Sequence, residues 1–395
     1  MSKAELYELA ERYRSEFPIF QNTVYLNSCS LGALSSRGRA ALKEFADLWS
    51  SQGAAAWYEH WLAAATDVRS AFADLIGAEP AEVALAPSVS GALSAISSAI
   101  DFAARPRVVT TELDFPTLVY QFLAKRKLGI ETVVLPSPDG VSVPIEAFAE
   151  AIDERTALVA TSHVYFTTGA IQDVDAVAQL AHASGALCLI DAYQSTGQLP
   201  VDASQLGVDF LISGALKWLL GGPGLAYLYV RRPLHARLEP TIASWFGVED
   251  QFAFDTTVLR LSPDARRFEL GTPAVPAIYT GRAGLEIVSE IGVDRIRRRV
   301  ASLTEDLIER AGRAGLKVRV AADPEKRSGI VLIEDDDPAG AVQRLKEASV
   351  IADYRPGVVR LSPHFYNTTD DNAAAVAVLA GVSARGAVGG RDAAR

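Results

Sequence analysis

The sequence holds two cysteines, Cys29 and Cys188, in 395 residues, and they form no CxxC pair. That argues against a disulfide framework and a thiolate zinc site. It fits a reducing compartment, so a cytoplasmic location is expected. His60, His182, His235 and His364 show no metal-ligand spacing. No run of about 18 apolar residues occurs, so no membrane span is expected. Positive charge is in deficit, with 38 Lys and Arg against 48 Asp and Glu, a net −10. A general nucleic-acid or anionic-membrane surface is therefore not expected, although a local basic pocket remains open. No GxGxxG opens a helix after the first strand, which speaks against a dinucleotide site. The opening stretch MSKAELYELAERYRSEF mixes acids throughout and reads as an amphipathic helix, not a signal peptide.

What is present is a globular chain, 49% hydrophobic and 22% charged, long enough for two domains. Short apolar runs recur at 82–87, 107–111, 131–136, 157–162, 186–191, 208–213 and 225–230. Amphipathic segments at 91–104, 116–128, 144–153 and 173–184 separate several of them. This alternation predicts an α/β fold whose large domain is a mostly parallel sheet of seven strands with helices on both faces. After about residue 275 the pattern changes to a charged helix (291–315), short strands and two further helices, a smaller α+β domain. The expected division is 15–275 for the large domain, with 1–14 and 276–382 for the small one. The Gly/Ala/Arg-rich stretch 383–395 is expected to be a disordered tail.

Two isolated charges stand out. Lys217, in SGALKWLLGGPG, is the only charged residue between Asp209 and Arg231. Asp191 is as isolated, with only His182 between Asp175 and Asp202. Both follow predicted strand ends, where open α/β sheets bind ligands. One reading is a buried structural ion pair. The other is a pyridoxal 5′-phosphate (PLP) site. A buried lysine of depressed pKa is a nucleophilic amine, and a carboxylate opposite a pyridine nitrogen keeps that nitrogen protonated. SVSG, opening a helix after strand 82–87, offers backbone amides and hydroxyls for a phosphate.

The stretch LIDAYQSTGQLPVDASQLGVDFLISGALKWLLGGPGLAYLYV (189–230) resembles the class V aminotransferase family of fold-type I PLP enzymes. The resemblance runs from VYLNSCSLG (24–32) to VVRLSPHFYNTTDD (358–371). It implies Lys217 as the Schiff-base lysine and Asp191 as the partner of the pyridine nitrogen. It implies Gln194 at the ring's phenolic oxygen, Val89, Ser90 and Ser213 at the phosphate, and Phe115 stacked on the ring. RFELGTP (267–273) matches a segment that crosses a dimer interface, so Thr272 would complete the partner's phosphate site in a homodimer. Arg360 matches the arginine that binds the substrate α-carboxylate. Asn27 and Trp245 are further substrate-side candidates. Trp245, Phe246, Trp57, Tyr58 and Trp61 are candidates for an aromatic side-chain pocket, the last three, on a predicted helix, having packing as the alternative. Taken singly, Phe115 reads as core, Ser90 as a helix cap, Thr272 as a loop residue and Arg360 as a surface charge. They carry weight because all fall in register with one pattern.

Within the family the reaction is less defined. VIADYRPGVVRLSP (350–363) lacks the loop cysteine of persulfide-forming desulfurases, and Leu216 stands where those enzymes carry His and kynureninases Tyr. Several segments have kynureninase-like counterparts, yet DAYQS replaces the kynureninase DLAHS. The resemblance implies an enzyme for an L-α-amino acid, working through an external aldimine with Lys217 as the base for the α-proton. A Cβ lyase of C–S or C–C type is the favoured outcome, an aminotransferase or epimerase the alternative. A catalytically silent PLP-fold binding protein is the alternative from another class.

Overall fold

In a computed structural model of the chain, residues 3–381 are described. The tail expected at 383–395 lies outside them. Seven strands form one sheet, in the order Val83–Ala86, Ala226–Val230, Phe210–Gly214, Leu187–Asp191, Thr156–Ser162, Arg107–Thr111, Glu131–Leu135. The last five pair in parallel, and Ala226–Val230 runs antiparallel to both its neighbours. Each strand coincides with a predicted apolar run to within two residues. Along a strand successive side chains point to opposite faces. Leu85, Val109, Val159, Ile190, Leu211 and Tyr227 accordingly enter one core. Ala84, Val108, Leu158, Leu189, Ile212 and Leu228 enter a second. Both faces are covered, and for that reason the strands read as continuous apolar runs rather than alternating ones.

Helices Ser36–Gln52, Leu62–Leu75, Val174–Ala183 and Val275–Ile291 contribute to the first core, and Val89–Ala99 and Pro116–Leu123 to the second. A four-stranded antiparallel sheet of Asp353–Arg355, Val358–Leu361, Val331–Glu334 and Val318–Arg319 follows. Val293–Arg313, Pro338–Glu347 and Thr369–Leu379 pack beside it. The break between the two long helices falls at Gly292, whose φ of +86° suits glycine. Val24–Tyr25 pairs with Val350–Ile351, and Asn27 bridges to Ser362. The segment 24–32 is thereby carried from the C-terminal sheet to the lysine loop, where Gly32 N–H donates to the Leu216 carbonyl at 2.7 Å. No helix among the described residues is long and apolar enough to cross a membrane.

Candidate active site

The parallel strands end beside a cavity of about 340 Å³ whose lining includes Lys217, Asp191, Gln194, Phe115, Arg360 and the start of the helix Val89–Ala99. Asp191 is the last residue of its strand, and Lys217 follows the neighbouring strand by three residues. Tyr193 N–H donates to Asp191 Oδ1 at 2.9 Å. Burial pushes the Asp191 carboxyl up to about 6, against the lowering effects of that bond and of Lys217. Lys217 is enclosed by protein but keeps part of its surface open to the cavity. Burial brings its ammonium down to about 8, although Asp191 and Cys29 favour the charged form. Among the described residues Lys217 Nζ has no hydrogen bond and no ion pair within 4 Å, so the structural ion-pair reading fails. Two aromatic faces lie close to it, Tyr193 with its ring centre at 4.2 Å and Phe115 at 5.8 Å.

The helix Val89–Ala99 is capped by Ser88, whose side chain accepts from Gly91 N–H, so Ser90 is not the cap. Val89 and Ser90 both line the cavity, and as first-turn residues their N–H groups have no intrahelical acceptor. Phe115 precedes the helix Pro116–Leu123, is 43% exposed, and meets Phe166 edge-on at 5.0 Å. Beneath it lies buried Asp114. Its Oδ2 accepts from Thr110, Thr111 N–H and the Thr111 hydroxyl, and its Oδ1 from Thr161 and Ser162 N–H. This one carboxylate ties two strand ends together under the aromatic wall. Gln194 donates to the Cys29 carbonyl at 2.9 Å and accepts from Trp218 Nε1 at 2.8 Å, which leaves one amide N–H.

Arg360 is 1% exposed, so it is not a surface charge. Its Nη1 donates to the Phe166 carbonyl and its Nη2 to Ser30 and Asp353, all at 2.7 Å. Among the described residues its Nε has no hydrogen-bond partner. Arg355, also on the cavity wall, donates to the same Asp353 Oδ2 at 2.8 Å. Two guanidinium groups thus share one carboxylate, and one positive charge is left over.

Not every candidate reaches this cavity. Ser213 is fully buried with its hydroxyl bonded to Thr196, away from the lining. Asn27 stands behind the wall, its Oδ1 3.9 Å from Cys29 Sγ. Thr272 and Trp245 line a separate hollow of about 200 Å³ with Trp57, Tyr58 and Phe246. Trp61 is packed against Phe45 and Trp57. Sequence reasoning passed over Tyr193, Ser30, Asp353 and Arg355, all within the quoted DAYQS, NSCSLG and DYRPGVVR segments, and Cys29 as a wall residue. Those motifs were the available signal.

A phosphorylated pyridine aldehyde fits these groups. There is a partnerless amine for its aldehyde, a carboxylate for its nitrogen, free helix N–H groups for its phosphate and a flat ring exposed beside the amine.

The family model Aminotransferase class-V matches residues 40–352. The chain is 38% identical over 363 residues to the uncharacterized aminotransferase YcbU of Bacillus subtilis (strain 168), covering 92% of this chain and 95% of that protein. It is 30% identical over 368 residues to the kynureninase of Geobacillus thermodenitrificans (strain NG80-2), covering 89% and 86%. Among solved structures, the apo cysteine desulfurase from Thermococcus onnurineus NA1 superposes with a TM-score of 0.85 at 21% identity, over 94% of this chain and 97% of that one. The cystine C–S lyase C-DES, in complex with its product cysteine persulfide, gives 0.85 at 20% identity, over 92% and 99%. These two likenesses speak for the fold. Family match, relatives and cavity chemistry agree: the chain belongs to the class V aminotransferase family, fold-type I enzymes whose cofactor is pyridoxal 5′-phosphate.

Proposed function

We propose that the protein is a Cβ lyase for an L-α-amino acid, breaking a C–S or C–C bond without a persulfide cysteine. The observation that carries the amino-acid chemistry is the partnerless Lys217 amine beside Asp191, with a buried arginine on the same cavity. The lean toward a lyase comes from the kynureninases among its relatives, at 28–30% identity across about nine-tenths of the chain. When bound, the cofactor supplies an aldehyde that joins amines and a ring that accepts the electron pair released at Cα.

The chain's own groups do the rest. Lys217 Nζ would be the amine that holds the cofactor's aldehyde carbon, and as a free amine it would take the Cα proton. Asp191 keeps its charge above about pH 6 and so would hold a proton on the pyridine nitrogen. Val89 and Ser90 N–H groups would bind the phosphate, Gln194 would give its remaining N–H to the ring hydroxyl, and Phe115 would cover one face. Arg360 has Nε–H and one Nη1–H left for the substrate carboxylate. The positive charge it shares with Arg355 favours that anion. Leu216 offers no proton donor, so Lys217 acts without a histidine at that position.

A second reading is favoured by the aminotransferase name of the 38% relative. One experiment separates the two. Purified protein is mixed with kynurenine, cysteine conjugates and common amino acids, with and without a keto acid, while cofactor absorbance and products are followed. The lyase reading expects release of a β-substituent with no keto acid present. Turnover that strictly needs the keto acid would replace it with the aminotransferase reading.

A further inference from the structure

The Tyr193 ring, not its hydroxyl, faces the amine of Lys217. Phe115 approaches the same nitrogen, and both rings line the cavity. The two rings come from turns after different strands, Arg107–Thr111 and Leu187–Asp191. Tyr193 can lie where it does because of a residue 21 positions further on. A Cβ on Gly214 would overlap Cζ, Cε2 and Oη of the tyrosine. Gly214 ends its strand without a positive φ, so room, and not backbone conformation, is what glycine supplies. The pair is therefore matched: a large ring at 193 requires no side chain at 214.

We infer that Tyr193 is a second aromatic wall of the cofactor pocket, opposing Phe115, and that Gly214 is the residue that admits it. This rests on Lys217 being the attachment point. Aromatic faces attract a cationic nitrogen and stack on a flat heteroaromatic ring. Two such walls would shield the lysine–cofactor bond from water and hold the ring in register with Asp191. Tyr193 acts here as a positioning residue through its ring. Its backbone N–H, which holds Asp191, survives any side-chain substitution.

The test compares holoenzymes of wild type, Tyr193→Phe, Tyr193→Ala, Gly214→Ala and the Gly214→Ala/Tyr193→Ala double variant. The readouts are the rate of cofactor loss on dilution and the visible circular dichroism of the bound cofactor. Tyr193→Phe should behave as wild type. Tyr193→Ala and Gly214→Ala should each lose cofactor about tenfold faster, the worth of one aromatic contact, with a changed dichroic band. The double variant should be no worse than Tyr193→Ala, because the clash needs both side chains. A wild-type rate and spectrum for Tyr193→Ala, or additive losses in the double variant, would overturn the inference and leave the Lys217 reading standing. Wild-type protein that carries the cofactor on another lysine would overturn both.

Discussion

The reactivity proposed for Lys217 follows from where the chain puts it. An amine in water keeps its proton to the ordinary lysine value of 10.5, whereas burial brings this one down to about 8. Only the neutral amine attacks an aldehyde, so apoprotein should take up the cofactor faster as pH rises, levelling off just above pH 8. Stopped-flow absorbance between pH 6.5 and 10 checks this. A rate that keeps climbing to pH 10, or does not change, would count against Lys217 as the acceptor. Asp191 is shifted the other way, up to about 6, and in the role proposed for it has to remain ionised to keep the ring nitrogen protonated. Asp191→Asn should still bind cofactor but slow turnover by about 10²-fold or more, as expected for loss of a charge aimed at the reacting system. Normal turnover in that variant would remove the aspartate from the mechanism.

At the scale of elements, the lysine sits on a loop held from outside the sheet. The segment 24–32 pairs at one end with Val350–Ile351 and at the other lays Gly32 against the loop. A Cβ on Gly32 would overlap the Lys217 carbonyl oxygen and crowd Leu220, which already holds a φ of +59°. Backbone atoms cannot swing aside as a side chain does. Gly32→Ala should therefore destabilise the protein by about 1–3 kcal/mol, the usual cost of overpacking, and lower cofactor occupancy together with the thermal midpoint. Unchanged melting and full occupancy would mean that the loop yields without cost. Asp114 does the corresponding work on the opposite side, where its five accepted hydrogen bonds join two strand ends under Phe115.

For the whole molecule, the informative surface lies around Thr272. Trp245, which shares a hollow with Thr272, also lines a second one with Phe254 and Leu259, and the three are 43%, 68% and 61% exposed. An apolar patch of this kind suits a second copy of the chain, and the RFELGTP resemblance would then carry Thr272 to the partner's phosphate. If so, a Lys217→Ala chain and a Thr272→Asp chain, each inactive alone and each dimeric, should regain activity when mixed. Random pairing puts half the dimers in the hybrid form, with one of two sites free of both lesions, so about a quarter of wild-type activity is the ceiling. Hybrid dimers of verified composition that stay inactive would assign Thr272 to its own chain's site.

The seven strands and the two lone charges were legible in the sequence for one physical reason. A sheet covered on both faces demands continuous apolar runs, and a charge tolerated inside such a run must have a use. The class V pattern then supplied cofactor and fold. What the sequence by itself left open was every relation between residues far apart in the chain. The family resemblance implied Ser213 at the phosphate, yet its hydroxyl turns to Thr196. The class V pattern marked Arg360 as a carboxylate-binding arginine, but only folding brought Ser30, 330 residues away, and the Phe166 carbonyl onto its guanidinium. Cys29 reached the lysine cavity, and Tyr193 found its room over Gly214, through packing that no local pattern records. Local periodicity reports which face of an element is buried, whereas the partner met on that face is decided only when the elements close on one another.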